Sequence, residues 1–348
     1  MSEKSIVTLD RLEKFCSEVL IKAGLELSDA AILTESLLCA ELRGVSSHGV
    51  VRLSTYLNRI AAGVMDINSK MTIEKEFPAS ALLNANNGFG QIAGAKAMDI
   101  AVSKAKTSGA SVVAVKNSNH FGVAAYFGLR AVRENMVGLV ITNSSPAMTP
   151  YNTKTPLLGT NPLAIAIPAG EQKPIVLDMS TSVVARGKIR YASLVGEKIP
   201  LGWAVDSDGR PTEDAKAALK GSLEPIGGPK GAGLSLCIDL LCGVLTGTAL
   251  TGEVINVTDT SGPSKTGHLF IAINVASFIN PQFFAQNVDK VITHIKSLPS
   301  ASGGQVYMPG EIEFNLEAKR LKEGIPLAND VLADLGRLAE RYEVSKLI

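Results

Sequence analysis

The chain has 348 residues, more than one compact core absorbs, so two domains are expected. It is 46% hydrophobic, 19% charged and 5% aromatic, with a net charge of +1 and no basic block interleaved with aromatics, which excludes nucleic acid as a partner. The opening Met1-Ser2-Glu3-Lys4 lacks the basic-then-apolar layout of a secretory signal, and Cys16, Cys39, Cys237 and Cys242 include no Cys-x-x-Cys pair. Buried thiols in a reducing cytoplasm are therefore expected, with neither a disulfide framework nor a zinc site.

Residues 8–23 read as an amphipathic helix, with Leu9, Leu12, Phe15, Val19 and Ala23 on one stripe and Gly24 as the stop. Ser28 is the expected cap of a second helix that carries Leu33, Leu37 and Ala40 and ends near Gly44. Ser46 and Ser47 supply hydroxyls for the start of a third, on which Val50, Leu53, Leu57 and Ile60 recur at helical spacing up to Gly63. His48, Arg52 and Tyr56 fall at i, i+4 and i+8 and share its other face. A titratable imidazole, a fixed cation and a phenol in line suit a site that binds a carboxylate and protonates the oxygen beside it. Read alone, the face is equally a solvated helix surface.

Near Pro78 short β-type runs begin to alternate with helices. The runs lie at 81–83, 111–115, 137–141, 163–167, 175–177 and 269–273, and the helices at 91–107, 120–134 and after Pro229. This predicts an α/β domain with a partly buried sheet. Gly231 to Leu250 is almost wholly apolar, but Asp239 interrupts it, so a buried interior helix is expected rather than a membrane span. From Pro281 the pattern returns to helix. The expected division is a helical segment over 1–75, an α/β cofactor- and substrate-binding domain over 76–280, and a helical segment over 281–348 packing back on the first.

Several segments carry candidate chemistry. Gly88-Phe89-Gly90-Gln91-Ile92-Ala93 has the Gly-x-Gly-x-x-Ala spacing of a dinucleotide turn, but the next strand ends in Lys116-Asn117 without the acidic residue that reads a ribose. An ordinary Gly-rich turn is the simpler reading. Asn119-His120-Phe121-Gly122-Val123-Ala124 runs from a polar turn into an expected helix start, where free N–H groups favour an anion. Gly159-Thr160-Asn161-Pro162 precedes an apolar strand, Asp178-Met179-Ser180-Thr181 closes another, and Arg186-Gly187-Lys188 follows. Gly227-Gly228-Pro229-Lys230-Gly231 is the strongest anion site read by itself, a Gly-rich helix start beside a Lys but without P-loop spacing. His48, His120, His268 and His294 are far apart, no metal spacing is present, and His268 and His294 read as structural.

Ser47-His48-Gly49, Asn119-His120-Phe121-Gly122, Gly159-Thr160-Asn161-Pro162, Asp178-Met179-Ser180-Thr181, Ala185-Arg186-Gly187-Lys188 and Gly228-Pro229-Lys230-Gly231 occur in this order. Together they resemble the malate/L-lactate/L-sulfolactate dehydrogenase family, which also holds ureidoglycolate dehydrogenase and cyclic-imine-2-carboxylate reductases. The resemblance runs from about residue 8 to Glu311. It implies a homodimeric oxidoreductase that uses NAD or NADP on a non-Rossmann α/β domain. It also implies that a small 2-hydroxy acid and its 2-oxo acid are the substrates, malate or sulfolactate before lactate.

The resemblance places proton transfer on Ser47 and His48, or on His120. It places substrate contacts on Arg52, Thr160 and Arg186, to which the helix face adds Tyr56 and the Arg186-Gly187-Lys188 segment adds Gly187 as candidates. Cofactor contacts fall on His120, Phe121, Gly122, Val123, Ala124, Ser144, Asp178, Met179, Ser180, Lys230, Pro309, Gly310 and Glu311. One departure matters: the imine reductases carry His-Gly-Asp where this chain has Arg186-Gly187-Lys188, so the orienting partner of His48 is unassigned and imine reduction is disfavoured. The competing class is a non-catalytic nucleotide- or carboxylate-binding protein on the same fold.

Overall fold

The computed structural model describes residues 4–301 and 303–348. A short strand β1 (Lys4–Val7) leads into α1 (Leu9–Lys22), α2 (Leu27–Leu42), a 3-10 turn (Ser46–His48) and α3 (Val51–Ala61). Leu12, Val19, Leu33, Leu37, Leu53 and Leu57 from these helices form one core. Ser28 lies inside the first turn of α2; Glu26 occupies the cap position and no side chain closes that end.

The central domain then runs β2 (Thr72–Phe77), β3 (Ser80–Asn84), α4 (Gly90–Ser108), β4 (Ala110–Ser118), α5 (Ala124–Arg133), β5 (Met136–Thr142), β6 (Leu163–Ile167) and β7 (Ile175–Met179). It continues with α6 (Arg186–Val195), β8 (Ala204–Val205), α7 (Ala215–Lys220), β9 (Ser222–Leu223), α8 (Pro229–Asp239) and β10 (Thr266–Asn274). Seven strands pair in the order β2-β3-β4-β10-β5-β6-β7. Only β3 and β4 are parallel, so the sheet is not a doubly wound Rossmann sheet. α4 and α5 cover one face, and their alanines pack on Val113, Val115, Val140 and Phe270. Ile189, Ile199 and Leu223, between β7 and α8, build a small separate core under α6 and α7 with Met148 from the β5–β6 connection.

The interior-helix reading of 231–250 needs correction. α8 passes into a π-helical turn (Leu240–Val244), whose extra residue rotates the next turn off the 3.6-residue stripe. Of the stripe Leu234, Ile238, Leu241 and Leu245, only Ile238 is buried, while Leu245 is 62% exposed. Cys237 on α8 is exposed and Cys39 on α2 is half-buried, whereas Cys16 and Cys242 are buried as expected.

Beyond β10 come α9 (Pro281–Ser297), α10 (Glu311–Glu323), β11 (Ile325–Ala328) and α11 (Asn329–Tyr342). β11 pairs antiparallel with β1, placing Lys4 against Ala328. α11 packs on α1 and α3, and α10 packs on α2. α9 turns elsewhere: its Asp289 carboxylate accepts the backbone N–H groups of Gly170, Glu171 and Gln172. Among the described residues no helix is long and apolar enough to cross a membrane.

Candidate active site

The turn that carries His48 is built on a buried carboxylate. Glu41, at the end of α2, accepts the Ser46 hydroxyl at 2.9 Å and the Val50 N–H at 3.0 Å. It thereby closes the start of α3, the task expected of the serines. A Cβ on Gly49 would overlap this carboxylate, which accounts for the glycine after the histidine. Burial raises the Glu41 pKa, and its hydrogen bonds to Ser46 and Val50 pull it back. Ser47 is left free, and its Oγ lies 2.8 Å from His48 Nδ1. His48 therefore belongs to the turn and not to the helix, so it does not share one helical line with Arg52 and Tyr56. Arg52 Nε donates to the Ser47 carbonyl at 2.7 Å.

His120 reaches the same place from the end of β4. The expected helix start is corrected: α5 begins at Ala124, and His120 to Val123 form its entry loop. The reason is local. Gly122 sits at a φ of +82°, which a continuing helix does not allow. Asn119 ties the loop down by donating to the Asn87 and Gly88 carbonyls. The His120 ring stacks on His48 with centroids 5.2 Å apart. Tyr56 is buried, and its hydroxyl lies 2.8 Å from His120 Nδ1, so its polar contact is with that histidine and not with an open face.

Burial, then the Arg52 guanidinium, pushes His48 down to about 4. Burial first, then His48, Arg52 and His268, holds His120 well below the ordinary histidine range. Two rings stacked beside a fixed cation are held neutral for lack of any opposing charge.

His268, read as structural, joins two halves of the site. It is fully buried at the start of β10, with Nδ1 2.6 Å from Thr142 Oγ1 at the end of β5 and Nε2 2.8 Å from Ser118 Oγ at the end of β4. Phe121 stacks flat on it at 4.7 Å. Burial lowers its pKa from about 6.5 to about 3. The unfolded chain takes up this proton below about 6.5 and the folded chain does not. Stability is therefore expected to fall as pH drops through that window, by about 1.4 kcal/mol per pH unit from this residue. Denaturant midpoints measured from pH 7 to pH 4 on the wild type and on His268→Gln check this, and equal slopes would refute it.

Several of the segments expected at the cofactor lie side by side at neighbouring strand ends. Thr181 N–H donates to the Thr160 carbonyl at 3.1 Å, and Ile226 N–H to the Thr181 carbonyl at 2.9 Å, so three loops run side by side. Asn161 pins them: its Oδ1 accepts the Ser144 N–H and its Nδ2 donates to the Ser235 carbonyl, both at 2.9 Å. Asp178 Oδ2 accepts the Ala125 N–H at 2.8 Å. The anion expected at the start of α5 is thus the protein's own carboxylate, because that helix end is already capped. Pro309 accepts the Val176 N–H, and Gly310, at a φ of +85°, lies against Val176 where a Cβ would crowd it. Glu311 spends its carboxylate on Lys296 and the Met308 N–H.

The cradle before α8 fits a phosphate. Gly227 and Gly228 have φ of +62° and +60°, no acidic residue lies in the first turn, and Lys230 is exposed without a carboxylate partner among the described residues. A nicotinamide cofactor's pyrophosphate is the chemistry such a cradle holds.

Near Arg52 and Arg186 stands one further cation that sequence reasoning missed. Arg190 lies one helical turn beyond Arg186 on α6, and its charge acts on both Arg52 and Arg186. Arg186 Nη2 donates to the Leu219 carbonyl at 2.7 Å. Among the described residues no carboxylate pairs with any of the three arginines. The Arg186-to-Arg190 spacing was the available signal. Gly187 follows Arg186 on α6 and lines a cleft with Lys188, Tyr191 and Trp203 that includes none of the three arginines.

A family model described as malate/L-lactate dehydrogenase matches residues 7–336. The chain is 40% identical over 347 residues to a malate dehydrogenase of Pyrococcus abyssi, covering 97% of this chain and 95% of that one. It is 40% identical over 326 residues to an L-sulfolactate dehydrogenase of Methanocaldococcus jannaschii, covering 93% of each. The solved structure of the sulfolactate dehydrogenase from Methanocaldococcus jannaschii superposes with a TM-score of 0.93 at 38% identity over 98% of both chains.

Proposed function

The chain belongs to the malate/L-lactate dehydrogenase family, and from that membership we propose that it reduces a dianionic 2-oxo acid, oxaloacetate or sulfopyruvate, with NADH or NADPH. The observation that carries this reading is the group of Arg52, Arg186 and Arg190 without a carboxylate partner, beside two neutral histidines. Burying one anion needs one cation; three point to a substrate charged at both ends.

In this reading Arg52 holds the carboxylate next to the ketone, and Arg186 with Arg190 holds the far anion. Thr160 and Gly187 complete the substrate's bed. The nicotinamide supplies the hydride. His48 gives a proton from Nε2 to the ketone oxygen, while Ser47 Oγ accepts from its Nδ1. A neutral His48 takes up that proton as the substrate's charge arrives and offsets the arginines.

Lys230, Ser144, Asp178, Met179, Ser180 and the 309–311 loop are assigned to the cofactor, with His120 to Ala124 nearest its reactive ring. Lys230→Ala is expected to raise the KM for the cofactor about tenfold or more and to leave that for the oxo acid little changed. An unchanged cofactor KM would move the phosphate elsewhere.

A homodimer accounts for the exposed Leu240, Leu241, Val244 and Leu245 and the half-covered sheet face of Val112, Ile141 and Ile271 beside them. Sedimentation at twice the chain mass is the expected result, and a monomer refutes it. The four free thiols fit the cytoplasm.

Absorbance of NADH or NADPH, followed with oxaloacetate, sulfopyruvate, pyruvate, a cyclic imine carboxylate and, in reverse, ureidoglycolate, tests the reading and identifies the cofactor. Turnover restricted to the last two substrates would overturn it.

A further inference from the structure

The Gly88–Ala93 segment has the spacing of a phosphate turn, but its contacts are with the His120 loop and Tyr56. Gly90 opens α4, and a Cβ there would overlap the backbone carbonyls of Asn119 and His120. The segment is therefore the surface on which the His120 loop lies. Phe89 meets the Tyr56 ring edge-on at 6.1 Å. Gln91 is fully buried, and its Nε2 donates to the Tyr56 hydroxyl at 2.6 Å, while that hydroxyl lies 2.8 Å from His120 Nδ1.

The direction of these hydrogen bonds is set by the donors. An amide nitrogen only donates, so the phenol oxygen accepts from Gln91. The single phenol proton is then directed to His120, which makes Nδ1 an acceptor and leaves the ring proton on Nε2. Gln91 Oε1 has no partner. Turning the amide over would leave both buried N–H groups unpaired in place of one N–H and the carbonyl oxygen, and an orphaned buried N–H is the rarer and costlier of the two. The charged and titratable groups facing His120 are His48, Arg52, His268 and Tyr56, and none is a carboxylate that would favour an imidazolium.

We propose that Gln91 is a positioning residue that acts through Tyr56 to hold His120 neutral with its proton on Nε2. His120 is then a fixed hydrogen-bond donor to the ketone oxygen, and His48 is the group whose proton is transferred. This rests on the proposed oxo-acid reduction. The step balances: the carbon gains a hydride from the reduced nicotinamide, the oxygen gains the His48 Nε2 proton, and His120 keeps its own. Transfer from His120 would instead draw the phenol proton onto Nδ1 and leave a phenolate in a buried site, an arrangement that burial of Tyr56 opposes.

Gln91→Glu keeps the volume and replaces the donor by a carboxyl. Once ionised, that carboxyl accepts from the phenol, the phenol accepts from Nδ1–H, and Nε2 loses its proton. The expected result is a kcat loss that grows with pH across the titration of the new carboxyl and reaches ~10²-fold, the scale of removing one donor to a developing oxyanion. The KM for the oxo acid changes far less. A loss independent of pH, as a structural defect gives, or no loss at all overturns the proposal.

Nitrogen-15 spectra of labelled histidine, with His120 assigned from its absence in His120→Asn, read the tautomer without any turnover. The wild type at neutral pH is expected to show the Nε2–H form, and Gln91→Glu at alkaline pH the Nδ1–H form. An Nδ1–H or doubly protonated His120 in the wild type overturns the proposal. A wild type inactive on every 2-oxo acid would sink the proposed reaction, and the tautomer result would still decide the role of Gln91.

Discussion

Replacing His48 by alanine is expected to lower kcat for oxo-acid reduction by ~10²–10⁴-fold, the usual worth of a positioned general acid. The affinity for the cofactor should hold, because the Lys230 cradle and the 178–181 loop lie on other elements. The turn that carries His48 is held by Glu41, which bonds Ser46 and Val50, so its backbone stays in place when the imidazole is removed. Steady-state kcat combined with cofactor binding by fluorescence separates the two effects. If His48→Ala keeps near-wild-type kcat while His120→Ala is inactive, the proton belongs to His120. With His48 as donor, His120→Ala loses one hydrogen bond to the oxygen, ~10²–10³-fold.

Arg186→Ala should lower kcat/KM for oxaloacetate or sulfopyruvate by roughly 10²-fold and leave pyruvate little changed. In the proposed reading Arg52 grips the carboxylate that every 2-oxo acid carries, so its loss would be felt on all three. The far anion in that reading meets Arg186, which is half-buried and held by the Leu219 carbonyl instead of by a carboxylate. A guanidinium fixed by a carbonyl keeps its full charge for a ligand. Removing it leaves a desolvated anion facing Arg190 alone, a loss of a few kcal/mol at most. Arg190→Ala should follow the same selectivity with a smaller effect, because that residue is exposed. Equal losses on oxaloacetate and pyruvate would show that α6 does not read the second charge, leaving a general 2-hydroxyacid dehydrogenase.

Much of the fold was legible residue by residue. The stripe of Leu12, Phe15 and Val19, the β-type runs of β4 and β5, and the stop at Gly24 are local patterns, and local periodicity survives into the fold. Ser47, His48, Arg52, His120 and Lys230 stood out because each sits at a turn or helix start, where chemistry is commonly placed. β2 was not legible, since Thr72-Ile73-Glu74-Lys75-Glu76-Phe77 is an exposed strand with no apolar side to reveal it. The exposure of Leu241 and Leu245 was hidden by a π turn, which periodicity at 3.6 residues cannot anticipate.

The sequence by itself determined which residues could do acid–base and anion chemistry and that both chain ends are mostly helical, but not the β1–β11 ladder that joins those ends. Only the tertiary structure decided which of them meet. β10, from late in the chain, inserts between β4 and β5, and His268 at its start draws the His120 loop and the Ser144 loop to one edge. The same packing sets Glu41 under Gly49, Gln91 behind Tyr56 and Arg190 near Arg52. Contacts between residues so far apart in the chain leave no local pattern, because nothing in a chain's own periodicity records which strand lies beside which.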